Sequence, residues 1–330
     1  MLDIHYPETR FALESVRQAT YLVRQVQVEM LGKAISKSDH SPVTVGDYAA
    51  QALIGSLLER YYPDDVLVAE EDSRTLCSAG QEGLLDLVTG FVGRFVHDAK
   101  PEQVCRWIER GQARPARRYW TLDPIDGTKG YLRGDQYAVA LALIEDQQVQ
   151  LGVLGCPNLT DAFRPDLGGP GSLVIARRGH GSWTTSLASA REFDPLHVSR
   201  RADPTMARLL RSFEAQHTNV GKLDQLVNQL AIQADPVRLD SQAKYAILAA
   251  GKAEVMLRLL SAEKPDYREK VWDIAAGSII VEEAGGRVTD LHGKALDFST
   301  GREFKNNRGI LVTNGHLQQA FLEALASLGV

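Results

Sequence analysis

Residues 121–130 read TLDPIDGTKG, and the reading of this stretch decides the fold. Just upstream, YWTL (119–122) has the aromatic and β-branched composition of a strand. Aspartate is a poor strand residue and proline donates no ladder hydrogen bond, so the strand is expected to end abruptly at Asp123. Asp123 and Asp126 are separated only by Pro124 and Ile125, and close carboxylates repel unless water screens them or a cation sits between them. A turn here lets both side chains, together with the Ile125 carbonyl, face one spot. A helix beginning at Gly127–Thr128 would aim its free N–H groups and positive dipole end at the same place. A phosphate would then bridge metal on one side and helix amides on the other, with the Thr128 hydroxyl placed to orient an attacking water.

Working outward, three more segments bring acids to strand or helix ends. They are Asp47 in SPVTVGD, Glu70 (with Glu71 and Asp72) closing VLVAEED, and Asp273 in VWDIAAG. Carboxylates, carbonyls and waters suit Mg²⁺, and no His/Cys cluster has zinc spacing. Any one of these acids alone is explained as a helix cap or an exposed turn residue, and Asp-Gly is a common turn dipeptide. Asp273 is harder to explain that way. It reads as lying inside a helix among Val271, Trp272, Ile274, Ala275 and Ala276, where a lone carboxylate is costly unless paired or metal-bound. The combination points to metal.

The rest of the chain alternates helical and strand patterns. Helices are expected over 11–31, from Val45 to Pro63, over 83–96, 101–111, 220–232, 242–253 and 268–286, and over 316–328. Strands are expected at 66–72, 137–146 and 148–157 (a hairpin), 173–179, 196–200, 236–240, 254–260, 286–291 and 309–314. Pro42 is read as a breaker, and the basic ARPARR run (113–118) as a solvated loop. With no linker between them, these elements predict layered α/β sheets packed with helices, divided near residue 156 into halves 1–156 and 157–330.

Bulk properties agree. The 330 residues are 44% hydrophobic and 24% charged, as in an ordinary globular protein of one large domain or two intimate ones. A net charge of −5 argues against a general nucleic-acid binder. Cys77, Cys105 and Cys156 are an odd, widely spaced set, which predicts a reducing compartment and no disulfide framework. The opening MLDIHYPETR lacks signal-peptide character, and no apolar run approaches the roughly 18 residues of a membrane helix. A soluble, cytoplasmic protein is expected, as a monomer or homodimer.

WTLDPIDGTKGYLRGDQYAVALAL, VWDIAAGSIIVEEAGG and the VLVAEED strand end resemble the signatures of the lithium-sensitive, Mg²⁺-dependent phosphomonoesterases. This superfamily includes inositol monophosphatase and fructose 1,6-bisphosphatase, and the resemblance covers nearly the whole chain. The KGYLRG continuation and LDSQAKY (239–245) resemble the 3′(2′),5′-bisphosphate nucleotidase branch, which converts 3′-phosphoadenosine 5′-phosphate to AMP.

The resemblance implies an alternating α-β-α-β-α sandwich and two or three Mg²⁺ ions. It implies Glu70, Asp123, the Ile125 carbonyl, Asp126 and Asp273 as metal ligands, with Asp47 and Thr128 activating water. It also implies Gly127, Thr128, His217, Ser241, Lys244 and Arg258 as substrate-binding residues. Lithium sensitivity and a place in sulfur metabolism rest on it alone.

The residues themselves leave Lys244 and Arg258 open. They suit a second phosphate equally with internal ion pairs to an acid such as Asp240. An inositol mono- or polyphosphate phosphatase is the alternative enzyme, and a non-catalytic sensor the reading outside enzymes.

Overall fold

The computed structural model describes residues 6–31, 42–189, 192–213, 219–260 and 266–330; His217 lies outside them. In the first half, α1 (Pro7–Leu31) and α2 (Pro42–Tyr61) precede β1 (Val66–Ala69). Next come α3 (Ser73–Leu76), α4 (Glu82–Val92), α5 (Pro101–Glu109), β2 (Arg118–Asp126) and α6 (Thr128–Arg133). The strands β3 (Ala138–Glu145) and β4 (Gln148–Cys156) form the expected hairpin, and β5 (Leu159–Thr160) pairs with β6 (Arg164–Pro165). The strands β7 (Ser172–Arg177), β8 (Ser182–Ser186) and β9 (Asp194–Leu196) complete a seven-stranded sheet in the order β1-β2-β3-β4-β7-β8-β9.

A second sheet, ordered β11-β10-β12-β14-β13, is built from β10 (Leu209–Arg211), β11 (Val237–Arg238), β12 (Val255–Arg258), β13 (Arg287–Thr289) and β14 (Ile310–Thr313). Its helices are α7 (Val220–Gln229), α8 (Ala243–Ala249), α9 (Ala275–Glu283) and α10 (Gln318–Ser327). Three apolar clusters define the layers. One joins α1, α2, α4 and α5 to the outer face of the large sheet, as in Leu22, Leu53, Val104 and Trp120. A second sandwiches α8 and α9 between the two sheets, and a third packs α7 and α10 on the far face of the small sheet. The result is the five-layer α-β-α-β-α sandwich. The large sheet runs on to Leu196, so the division between sheets falls later than residue 156.

Several expectations need correction. The strand through YWTL does not stop at Asp123 but reaches Asp126. Asp123 pairs with Ala140 and Asp126 with Ala138, with the register shifted between them. This bulge takes Pro124 out of the ladder, which is how proline survives inside a sheet. Pro42 does not break structure but starts α2, where its missing N–H is not needed. Asp273 lies in the turn before α9, not inside the helix. Backbone groups there bond elsewhere, with the Val271 N–H donating to the Arg302 carbonyl and the Trp272 carbonyl accepting from the Gln242 amide. The strand β8 was not foreseen, because SWTTS carries only one large apolar side chain.

Cys77 and Cys105 form a disulfide, with Cα atoms 6.2 Å apart, against the expectation of none. Their separation of 28 residues hides the packing of α3 on α5, where Ser73 Oγ also donates to Glu109 at 2.5 Å. Closing a loop of that size constrains the unfolded chain by roughly 3–4 kcal/mol. Reduction is therefore expected to lower the unfolding free energy obtained from urea titration by an amount of that order, with the midpoint falling accordingly; coincident curves with and without reductant would show that the bond contributes nothing.

Candidate active site

The parallel pairing of β1 with β2 sets Ala69 beside Leu122, so Glu70 emerges from its strand alongside Asp123. The helix α2 closes over both strand ends. On its inner face Asp47 and, one turn later, Gln51 are buried at 4% and 0% exposure. Gln51 holds the acidic loop by its backbone, donating to the Glu71 carbonyl at 2.7 Å and accepting from the Glu71 N–H at 3.0 Å. Gly46, preceding Asp47, sits close against the turn: a Cβ there would stand 2.7 Å from the end of the Ile125 side chain, which would have to shift.

As expected, a helix follows the acids: α6 starts at Thr128, with Gly127 before it at φ 89°. A Cβ on Gly127 would come within 2.7 Å of Ser241 Cβ, so glycine serves both the left-handed backbone and the close approach of the second half of the chain. Ser241 itself has φ 69° and leads into α8.

Gln242, which sequence reading passed over, joins the halves. Its backbone N–H donates to Asp126, its side chain donates to the Trp272 carbonyl at 3.0 Å, and its Oε1 accepts from the Gly277 N–H at 3.3 Å. Thus Asp126, on the large sheet, and the Trp272 carbonyl beside Asp273 are held by the backbone and the side chain of one buried residue. No sequence pattern marks such a residue.

The acids form one electrostatic unit. Burial pushes the Asp123 carboxyl well above the usual carboxylate range, and Glu70, Asp126, Asp273 and Asp47 push in the same direction. Asp47 is also raised, by burial and then by Glu71 and Glu70. Burial and Glu71 carry Glu70 up to about 7, although it keeps an exposed edge. Asp273 is pushed up to about 8 by burial, against the pull of Arg258. Oδ1 of Asp47 and of Asp123 are buried without a hydrogen-bond partner.

Unsatisfied carboxylate oxygens among mutually repelling acids have the donor chemistry of a hard divalent cation site. Among the described residues, however, no three His, Cys, Asp or Glu side chains already stand together as a cage.

A cleft of about 370 Å³ opens beside this cluster, lined by Asp126, Gly127, Thr128, Ser241, Lys244, Arg258 and Asp273, among others. The sequence-predicted substrate residues therefore share one cavity, apart from His217. Lys244, 7% exposed, donates to Ser212 Oγ at 2.7 Å, and burial with the Arg258 charge brings its pKa down to about 8. Burial works against the Arg258 charge too, but Glu269 at 2.6 Å and Asp273 at 3.4 Å hold it protonated. Asp240, considered as a partner for these cations, pairs instead with Arg133.

Comparison with known proteins gives the class first. The description "Inositol monophosphatase family" matches residues 6–329, and the chain belongs to this family. Solved structures agree on the fold: Thermotoga maritima IMPase TM1415 superposes with a TM-score of 0.63 at 19% identity, covering 97% of each chain. Mycobacterium tuberculosis SuhB gives 0.62 at 20% identity, over 96% of this chain and 95% of that one.

Within the family the sequence is similar to proteins named 3′(2′),5′-bisphosphate nucleotidase. The Dictyostelium discoideum protein is 39% identical over 95% of both chains. The Oryza sativa protein is 40% identical over 96% of this chain and 93% of its own.

The raised acids carry a consequence for stability. Their folded pKa values exceed the unfolded 3.8 and 4.5, so the folded protein holds more protons, and its stability falls as pH rises toward 7–8. Chelator-treated protein is expected to melt several degrees lower at pH 8.5 than at pH 5.5, and Mg²⁺ added at the higher pH to reverse the loss. A melting temperature that climbs over this interval would mean the acids are not a strained cluster.

Proposed function

We propose that this chain is a Mg²⁺-dependent phosphomonoesterase that removes the 3′-phosphate of 3′-phosphoadenosine 5′-phosphate, giving AMP and phosphate. The observation that carries the reading is the single cleft that sets Lys244 and Arg258 beside the acids Asp126 and Asp273. A phosphomonoester with a second phosphate needs both ends, the acids by way of metal and the cations directly. The 37–40% identity to curated nucleotidases over nearly the full chain supports the same substrate.

Glu70, Asp123, Asp126, Asp273 and the Ile125 carbonyl would hold Mg²⁺. Bound there, the metal supplies charge neutralisation on the phosphoryl oxygens and a water of lowered pKa. The chain's own residues do the rest. Asp47, through the Thr128 hydroxyl, takes a proton from the attacking water, which forms the new P–O bond as the ester P–O bond breaks. The leaving 3′ oxygen collects a proton and departs as the ribose hydroxyl. Lys244, Arg258 and Ser241 hold the retained 5′-phosphate, fixing the reacting phosphate in line. Most of the catalysis is positioning and charge stabilisation, as suits a site built of ligands and anchors.

Cytoplasmic placement, sulfur metabolism and lithium sensitivity belong to this reading; among the described residues no helix is long and apolar enough to cross a membrane. The test is phosphate release from 3′-phosphoadenosine 5′-phosphate and from inositol 1-phosphate, with Mg²⁺ and with chelator. Metal-dependent release, far faster from the nucleotide, is expected. Equal turnover of the two would replace the nucleotide reading with the inositol phosphate alternative, and release that survives chelation would remove the metal.

A further inference from the structure

The cleft has an order. Asp273 touches Arg258, Arg258 lies in the field of Lys244, and Lys244 donates to Ser212 Oγ. The next residue, Phe213, also lines the cleft and leaves 48% of its surface in solvent. An exposed phenylalanine means little by itself. This one is braced from behind. The Arg133 guanidinium stands over its ring, 5.8 Å from the centroid. Asp240, only 7% exposed, accepts the Phe213 N–H at 3.1 Å and pairs with that same Arg133. One buried carboxylate thus fixes both the backbone of the aromatic residue and the cation against its ring. The chain keeps an aromatic face beside Lys244 and Arg258, with Val220 and Leu223 adding apolar surface to the same cleft.

We propose that Phe213 is the stacking platform for the nucleobase, with Arg133 and Asp240 as the residues that position it. This rests on the nucleotide reading above and extends it to the part of the substrate farthest from the chemistry. A polyol ring has no π-face to stack, so the platform selects a nucleotide over an inositol phosphate that offers the same two phosphates. Stacking of a base on an aromatic side chain is worth about 1–3 kcal/mol, which is on the order of tenfold or more in affinity.

The experiment compares kcat/KM for 3′-phosphoadenosine 5′-phosphate with that for an abasic 1-O-methylribose 3,5-bisphosphate, in wild type, Phe213→Ala and Phe213→Trp. The ratio is insensitive to the amount of folded enzyme, because both substrates report on the same active molecules. The ratio is expected to fall about tenfold in Phe213→Ala and to be retained in Phe213→Trp. If the wild type favours the nucleotide and Phe213→Ala leaves the ratio unchanged, the platform is overturned and the nucleotide reading stands. If the wild type shows no preference for the nucleotide over inositol 1-phosphate, it is the nucleotide reading that fails, and the platform with it.

Discussion

Asp126→Asn is expected to lower kcat for phosphate release by at least about 10³-fold while leaving the melting temperature of the chelated protein unchanged or higher. The two effects separate because Asp126 does two jobs. As a carboxylate it adds negative charge to a cluster that already includes Glu70, Asp123 and Asp273. As an acceptor it receives the Gln242 N–H, which an asparagine oxygen also accepts. The substitution therefore removes repulsion and the proposed metal ligand but keeps the bond that joins the two halves of the chain. Steady-state kinetics and a thermal melt on one preparation decide it. Near-wild-type turnover would take Asp126 out of the metal site, and a fall of many degrees would make its role structural.

The paired substitution Lys244→Met with Arg258→Met is expected to raise KM for 3′-phosphoadenosine 5′-phosphate by at least about 100-fold, since each charge-assisted hydrogen bond contributes roughly 1.5–3 kcal/mol. Inositol 1-phosphate, with no second phosphate, should lose far less. The single change Arg258→Met carries a further signature. It leaves Glu269, 6% exposed and bonded to Arg258 at 2.6 Å, as a buried carboxylate without its partner. Orphaning such a charge costs roughly 3–5 kcal/mol. Adding Glu269→Gln should return much of that stability without restoring KM. A KM increase equal for both substrates would show that the cations serve the reacting phosphate and not a second one.

How much of this was legible in the sequence depends on whether a feature is local. Strand composition followed by clustered acids is a local signal, and it marks Glu70, Asp123 and Asp126 as acids at strand ends. The start of α6 at Thr128 followed from a glycine and a hydroxyl residue after the aspartates. The five layers were legible only through the family resemblance, because alternating elements fix a class and not an order of sheets.

What escaped was long-range. The bulge at Pro124 exists because β3 continues to pair on both sides of it, and nothing in DPID announces that partner. Asp273 was placed in a helix because VWDIAAGSII has helical composition. The turn instead reflects bonds to Arg302 and Gln242, both distant in sequence. The Cys77–Cys105 bond likewise depends on how α3 lies on α5.

Gln242 has a consequence for how such a cleft drifts over time. It is uncharged, wholly enclosed and absent from the cavity wall, yet it bonds Asp126 in one half of the polypeptide and the Trp272 carbonyl, next to Asp273, in the other. Replacing its side chain would free the Trp272 carbonyl and the Gly277 N–H on either side of Asp273 while the backbone bond to Asp126 stayed, so a residue that never meets substrate still bears on where that acid sits.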